Sequence, residues 1–101
     1  MATATPALFY RGAAATSSTT LYTVPSNTTS VLTDIVVSNT STDQQYVTIT
    51  VDGINIIPTV PVSANQVLNF QFKTVIGTTK VIAGYASSTG VKFHISGVET
   101  A

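Results

Sequence analysis

Side chains that could do chemistry are few in this 101-residue chain, and they lie far apart in the sequence. There is one histidine, His94, and there is no cysteine. A lone imidazole cannot form a multi-histidine metal site, and a chain without cysteine has neither a thiolate nucleophile nor a thiolate-bound zinc. The chain contains no Gly-x-Ser-x-Gly segment, so no such motif supplies a serine nucleophile for which His94 could act as the general base. We therefore predict that the chain is not an enzyme and uses no cofactor, metal or small-molecule substrate.

The acidic residues include no pair that their spacing marks as catalytic. Asp34 falls in a predicted strand, where a period of two gives it the same face as Leu32 and Val36. A carboxylate buried on that face would need a partner. We expect Asp34 at the rim of a sheet or in contact with Lys73 or Arg11.

Charge is scarce, since 8% of the residues are charged and the formal net charge is zero. The four basic residues do not cluster, although a nucleic-acid surface or an anionic membrane would require a basic patch. No stretch approaches the roughly 18 consecutive apolar residues of a membrane span. We predict no nucleic-acid partner and no membrane partner. A net charge near zero favours association, which is typical of a protein that functions inside an assembly.

Apolar residues recur at every second position from Leu21 onward, as in segments 47–51, 68–72 and 91–95. This period places one face of each segment on a core and the other face outside, as in β-strands. Segments rich in Pro, Gly, Asn, Asp and Ser separate the runs. The predicted strands are 20–24, 30–39, 45–52, 54–60, 66–73, 79–86 and 91–99.

Two turn signals constrain how these strands pair. Asp52 and Gly53 lie between apolar runs, and both residues tolerate a positive φ, so they predict a two-residue hairpin. Pro58 interrupts the run 54–60, which therefore lies at a sheet edge or contains a kink.

Seven short strands with regular turns predict an all-β fold: a single small antiparallel β-sandwich of jelly-roll or immunoglobulin-like build. The chain length leaves room for one core, and the sandwich domain is assigned to residues 20–101. The Cys-Trp-Cys core of antibody domains is missing, because the chain contains neither residue type.

Residues 1–19 follow neither the strand period nor the helix period and are rich in Ala, Thr and Ser. They contain no basic segment followed by an apolar run, so no signal peptide is predicted. The segment is either a disordered tail or an extended N-terminal arm that docks on a neighbouring subunit. We assign it as an arm with Phe9, Tyr10 and Arg11 as interface residues, because adjacent aromatic rings are unfavourable in water.

Outward strand positions supply two further candidates for surface contacts, His94 and Tyr46. His94 alternates with the apolar residues of strand 91–99, and Tyr46 is predicted on the outward face of its strand. An exposed strand tyrosine usually makes a cross-strand or subunit contact. Tyr22, Tyr46 and Tyr85 could instead form a carbohydrate platform, although the chain lacks tryptophan.

The segment Leu21-Tyr22-Thr23-Val24-Pro25, followed by a strand that ends in Asn39-Thr40 and by alternating Val/Thr strands, resembles small all-β proteins of tailed bacteriophages. That group includes minor tail proteins and other virion structural proteins, and proteins of similar build decorate capsids. The likeness covers about residues 19–99 and contains no catalytic residue. It implies a role in assembly and leaves head and tail undecided.

The residues and the resemblance together predict a structural component of a tailed-bacteriophage virion, either a minor tail protein or a capsid-decoration protein. Such a protein would be made in the host cytoplasm and function in the virion. Its partners would be copies of itself, in a closed arrangement such as a trimer, and other virion proteins. The alternative is a carbohydrate- or host-surface-binding β-sandwich module.

Overall fold

The computed structural model describes residues 4–100, and within them it contains eight β-strands and no helix. The strands form two antiparallel four-stranded sheets that pack as a sandwich, which confirms the predicted all-β fold. Their bounds are β1 Ala4–Ala13, β2 Thr19–Thr23, β3 Thr29–Asn39, β4 Gln45–Val51, β5 Ile54–Val62, β6 Val67–Ile76, β7 Val81–Ala86 and β8 Val91–Thr100.

The first sheet has the order β1-β8-β3-β6 and the second sheet has the order β2-β7-β4-β5. Early and late strands pair in turn: β1 with β8, β2 with β7, β3 with β6 and β4 with β5. The chain is thus one long ribbon folded back on itself, and the ribbon is rolled so that β3 also pairs with β8 and β4 with β7. This connectivity is that of an eight-stranded jelly roll.

The centre of the ribbon is the predicted hairpin between β4 and β5. Asp52 has a φ of 51° and Gly53 has a φ of 78°, so both central residues occupy the left-handed region that this two-residue turn needs. Pro58 lies in β5, which is the outer strand of the second sheet. The pairing of β5 with β4 is irregular near Pro58, and Thr59 has a φ of 51°. The predicted edge position of Pro58 is therefore confirmed.

The core lies between the sheets and follows the predicted alternation. Phe93 and Ile95 are completely buried, while His94 between them is exposed. Burial of one such side chain contributes roughly 1.5–3 kcal/mol. The second sheet supplies buried residues in the same way from Val47 and Ile49. Both sheets therefore have one apolar inner face.

The N-terminal segment differs from the prediction of an arm outside the sandwich. Residues 4–13 form β1, the outer strand of the first sheet, which pairs with β8 from Ala4 opposite Thr100 to Ala13 opposite Lys92. The strand was missed because its pairing shifts between Leu8 and Tyr10, and this bulge removes the period of two. Residues 1–3 of the predicted arm and residue 101 of the predicted domain lie outside the described residues.

Asp34 also differs from the prediction, because a bulge in β3 changes the face on which it lies. The pairing of β3 shifts between Leu32 and Asp34, so Leu32 and Ile35 are buried while Asp34 and Val36 are not. Among residues 4–100 Asp34 forms no ion pair with Lys73 or Arg11. Its Oδ1 accepts a hydrogen bond from Asn69 Nδ2 at 3.0 Å.

Candidate functional site

Charged residues are distributed unequally between the two sheets. The four strands of the second sheet contain no Asp, Glu, Lys, Arg or His. The strands of the first sheet contain six such residues: Arg11, Asp34, Lys73, Lys92, His94 and Glu99. The outer face of the second sheet is therefore neutral.

Two exposed tyrosines lie next to each other on this neutral face. Thr48 is opposite Tyr85 and Thr50 is opposite Ala83 in the pairing of β4 with β7. Tyr46 precedes Thr48 by two residues, so it lies on the same face and diagonal to Tyr85. Tyr46 is 44% exposed and Tyr85 is 36% exposed. We call these five residues the tyrosine face.

Two hydroxyl groups on the tyrosine face, those of Thr48 and Tyr46, have partners within the chain. The Thr48 hydroxyl lies 3.2 Å from that of Thr59 and accepts a hydrogen bond from the Thr59 backbone N–H, also at 3.2 Å. The Tyr46 hydroxyl accepts a hydrogen bond from Gln44 Nε2 at 3.0 Å. A protein surface or a sugar ring could cover this face without burying an unpaired charge.

The first sheet carries an open groove of about 550 Å³ on its outer side. Its apolar wall includes Pro6, Leu8 and Val98, and its polar end holds Arg11 and His94. Arg11 Nε donates a hydrogen bond to His94 Nδ1 at 3.3 Å.

This groove offers hydrogen-bonding groups and one cationic group. Ser96 also lines it, yet no carboxylate orients His94. Within residues 4–100 no group of three or more His, Cys, Asp or Glu side chains could hold a metal ion. The same residues include no helix long enough and apolar enough to cross a membrane.

A third cluster joins the two sheets and was not predicted from the sequence. The Tyr22 hydroxyl on β2 donates a hydrogen bond to Glu99 Oε2 on β8 and lies 2.8 Å from Ser30 Oγ on β3. The ring of Phe9 on β1 stacks on Tyr22 with centroids 4.1 Å apart. We call Phe9, Tyr22, Ser30 and Glu99 the tyrosine clasp. Burial, assisted by the Glu99 carboxylate, raises the pKa of Tyr22 to about 12.

No local sequence pattern predicts the clasp, because its members come from four different strands. The sequence pattern places Tyr22 in the phage-like segment and among the candidate surface tyrosines, and it does not single out Glu99. The cluster has the composition of a structural contact, because the Tyr22 hydroxyl contacts both Ser30 Oγ and Glu99 Oε2 and the rings of Phe9 and Tyr22 are stacked.

The residues predicted to form an arm interface have three different environments. Phe9 is only 6% exposed and is part of the core, so it cannot serve as a surface anchor in this fold. Tyr10 is half-buried, and its hydroxyl donates a hydrogen bond to the Ala13 carbonyl at 2.8 Å. Arg11 is exposed and meets His94, whereas Tyr46 lies on the other sheet. Whether Arg11, Tyr46 or His94 contacts another subunit stays a prediction.

Comparison with known proteins identifies the fold and no family. No family model matches the chain, and no curated protein matches it. Among solved structures, it is similar to a chain from the crystal structure of the T13 IBDV viral particle, with a TM-score of 0.62 and 13% sequence identity. The match covers 98% of this chain and 31% of that chain. The two chains share a fold. This chain spans under a third of the viral chain's length.

Proposed function

We propose that this chain is a structural component of a tailed-bacteriophage virion, a minor tail protein or a capsid-decoration protein. It acts by binding copies of itself and other virion proteins, without making or breaking covalent bonds. The observation that carries the proposal is the neutral tyrosine face on a jelly-roll scaffold. The fold shared with a viral-particle chain and the resemblance of residues 19–99 to phage proteins support it.

The tyrosine face suits assembly because removing it from water costs little free energy and because it carries two tyrosine rings. Removing a charge from water costs free energy unless the partner supplies an opposite charge, and here no strand of the sheet contains one. Tyrosine is enriched among the residues that dominate interface energies. Tyr46 and Tyr85 are therefore expected near the centre of a contact rather than at its rim.

Incorporation into particles tests this proposal. Tyr85→Lys would place a charge in the centre of the tyrosine face, and we expect it to lower the copy number in purified virions at least tenfold. Thr5→Lys, at an exposed position on β1 of the first sheet, is the matched control and should be incorporated normally. Mass spectrometry of purified particles measures both. Absence of the unmodified protein from particles would overturn the function, whereas equal incorporation of both variants would overturn only the role of this face.

A carbohydrate- or host-surface-binding module is the second candidate, and the paired Tyr46 and Tyr85 favour it. Two neighbouring aromatic rings on a flat neutral surface can stack on sugar rings, and lectins include jelly-roll folds. A glycan array discriminates the two functions. Binding that is lost in Tyr46→Ala but retained in Tyr46→Phe would support the module, and an array without signal would remove it.

A further inference from the structure

One outer strand of the sandwich has less protection than the other outer strands. The outer strands are β1 and β6 in the first sheet and β2 and β5 in the second. β5 contains Pro58 and Pro61, β1 contains Pro6 and a bulge, and β2 has five residues. β6 runs for ten residues without proline, Lys73 is its one charged residue, and its one irregularity is the register shift that sets residues 72 and 73 opposite the single residue 33 of β3. Exposed strand edges are usually protected by such features, because their free backbone groups otherwise pair with another chain.

The free backbone groups of β6 can be assigned from its pairing with β3. The Asn39 backbone N–H donates a hydrogen bond to the Gln66 carbonyl at 2.9 Å. Hydrogen-bonded and non-hydrogen-bonded pairs alternate in an antiparallel ladder, so Leu68 and Phe70 direct their backbone groups toward β3. Asn69 and Gln71 direct theirs away from β3, to the open edge.

The side chains of β6 are arranged nearly symmetrically about Gln71. On the exposed face Val67 is matched by Val75, and Asn69 by Lys73. On the half-buried face Phe70 is matched by Phe72 and Leu68 by Thr74. An edge strand can pair antiparallel with its own copy around a two-fold axis, which makes an isologous contact, and an axis at Gln71 places valine opposite valine and phenylalanine opposite phenylalanine.

We infer that β6 pairs antiparallel with β6 of a second copy, on a two-fold axis at Gln71, so that two first sheets become one continuous eight-stranded sheet. The inference rests on the proposed assembly function and names one of its contacts. Lys73 then faces Asn69 of the second copy, and no like charges meet. A two-fold contact at this edge is compatible with a higher assembly built through the tyrosine face, because that face belongs to the other sheet.

This pairing covers the apolar groups that the isolated chain leaves open at β6. Val67 is 61% exposed and Val75 is 67% exposed, and the pairing places each opposite the other residue of the second copy. Phe70 and Phe72 are only half-buried, with ring centroids 6.4 Å apart. The second copy adds an aromatic cross-strand neighbour to each ring.

Charged residues introduced at positions 67 and 75 test which residues of the two β6 strands lie opposite each other. Val67→Lys with Val75→Lys puts lysine opposite lysine at both ends of the contact, while Val67→Lys with Val75→Asp puts lysine opposite aspartate. Both positions are exposed, so both double variants should fold as the unmodified chain does. In sedimentation across a concentration series, we expect the unmodified chain to dimerise, the first variant to dimerise about tenfold more weakly or not at all, and the second to dimerise like the unmodified chain. An unmodified chain that stays monomeric at every concentration, or two variants that dimerise equally, would overturn the inference.

Single cysteines provide a second, independent test, since the chain has none of its own. Gln71→Cys places two thiols on the axis, with Cα atoms near the roughly 5.5 Å that a disulfide spans. Asn69→Cys places them about 14 Å apart along the strands. With oxidised glutathione as the oxidant, we expect a covalent dimer from Gln71→Cys and none from Asn69→Cys. The reverse result, or equal cross-linking, would contradict the axis.

The experiments distinguish the absence of the β6 contact from the absence of the proposed function. A chain that is present in virions but remains monomeric when purified would retain the function and lose this contact. A chain that dimerises as described but is absent from virions would retain the contact and lose the function.

Discussion

The two sheets have equivalent inner faces and different outer faces. Phe93 and Ile95 of the first sheet are as completely buried as Val47 and Ile49 of the second. Yet all charged strand residues belong to the first sheet. Folding requires the inner faces to be apolar, but it places no such demand on which outer face carries charge. The stability of the domain therefore does not explain the neutral outer face of the second sheet, whereas the proposed assembly contact would explain it.

The largest effects should be the same in both sheets, because they come from the shared core. Phe93→Ala in the first sheet should lower the free energy of unfolding by about 3–5 kcal/mol, and Ile49→Ala in the second by about 2–5 kcal/mol. Both side chains are fully buried, so each truncation leaves a cavity. Urea unfolding measures both. If either substitution cost less than about 1 kcal/mol, the equivalence of the inner faces would be wrong.

Glycines test how closely each sheet is packed. A Cβ added at Gly97 of the first sheet would lie 2.1 Å from the Val31 carbonyl oxygen and 2.6 Å from the Phe9 ring. At Gly84 of the second sheet the nearest atom, the Thr48 carbonyl oxygen, would be 3.0 Å away. We expect Gly97→Ala to destabilise the fold by about 3 kcal/mol and Gly84→Ala by about 1 kcal/mol, because overpacking displaces backbone.

Gly77→Ala is the control for both substitutions, since its added Cβ would meet nothing closer than the Lys80 side chain at 3.9 Å. Its thermal midpoint should stay close to that of the unmodified chain. A Gly84→Ala variant less stable than Gly97→Ala would contradict the packing difference.

The pH dependence of stability tests the tyrosine clasp, which links the sheets along β1 and β2. The fold raises the pKa of Tyr22 from 10.0 to about 12, so it favours the neutral phenol. The clasp therefore stabilises the fold fully below pH 10 and loses this contribution as pH rises toward about 12. Tyr22→Phe removes the titration. The difference in unfolding free energy between the unmodified chain and Tyr22→Phe should shrink above pH 10; a difference independent of pH would exclude the clasp as its source.

The sequence predicted those parts of the molecule whose structure depends on a local pattern, namely the alternation within one strand or the residue types of one turn. The alternation in 91–95 placed Phe93 inside and His94 outside, and Asp52-Gly53 predicted its turn. β1 was missed because Leu8, Phe9 and Tyr10 are consecutive apolar residues around a bulge. No local period could reveal such a strand.

The candidate sites depend on contacts that a local pattern does not contain. Tyr22 and Glu99 are 77 positions apart, and Arg11 and His94 are 83 positions apart. The tyrosine face needed the pairing of β4 with β7 before Tyr46 and Tyr85 could be recognised as neighbours. The sequence shows that these segments contain no charged residue. Only the pairing of the strands in the fold shows that the uncharged strands all belong to one sheet.

The smallest effect concerns the charged outer face itself. Arg11→Ala removes a hydrogen bond of 3.3 Å between two exposed side chains, so it should change the free energy of unfolding by less than about 0.5 kcal/mol. His94→Ala should change the free energy of unfolding by a similarly small amount. The change in the double variant should be close to the sum of the two single changes, because water replaces the lost partner in each case. Urea unfolding of the three variants gives the coupling energy. A coupling above about 1 kcal/mol would mean that the first sheet's polar surface contributes to folding, and the contrast between the two outer faces would then reflect stability and not only the proposed assembly contact.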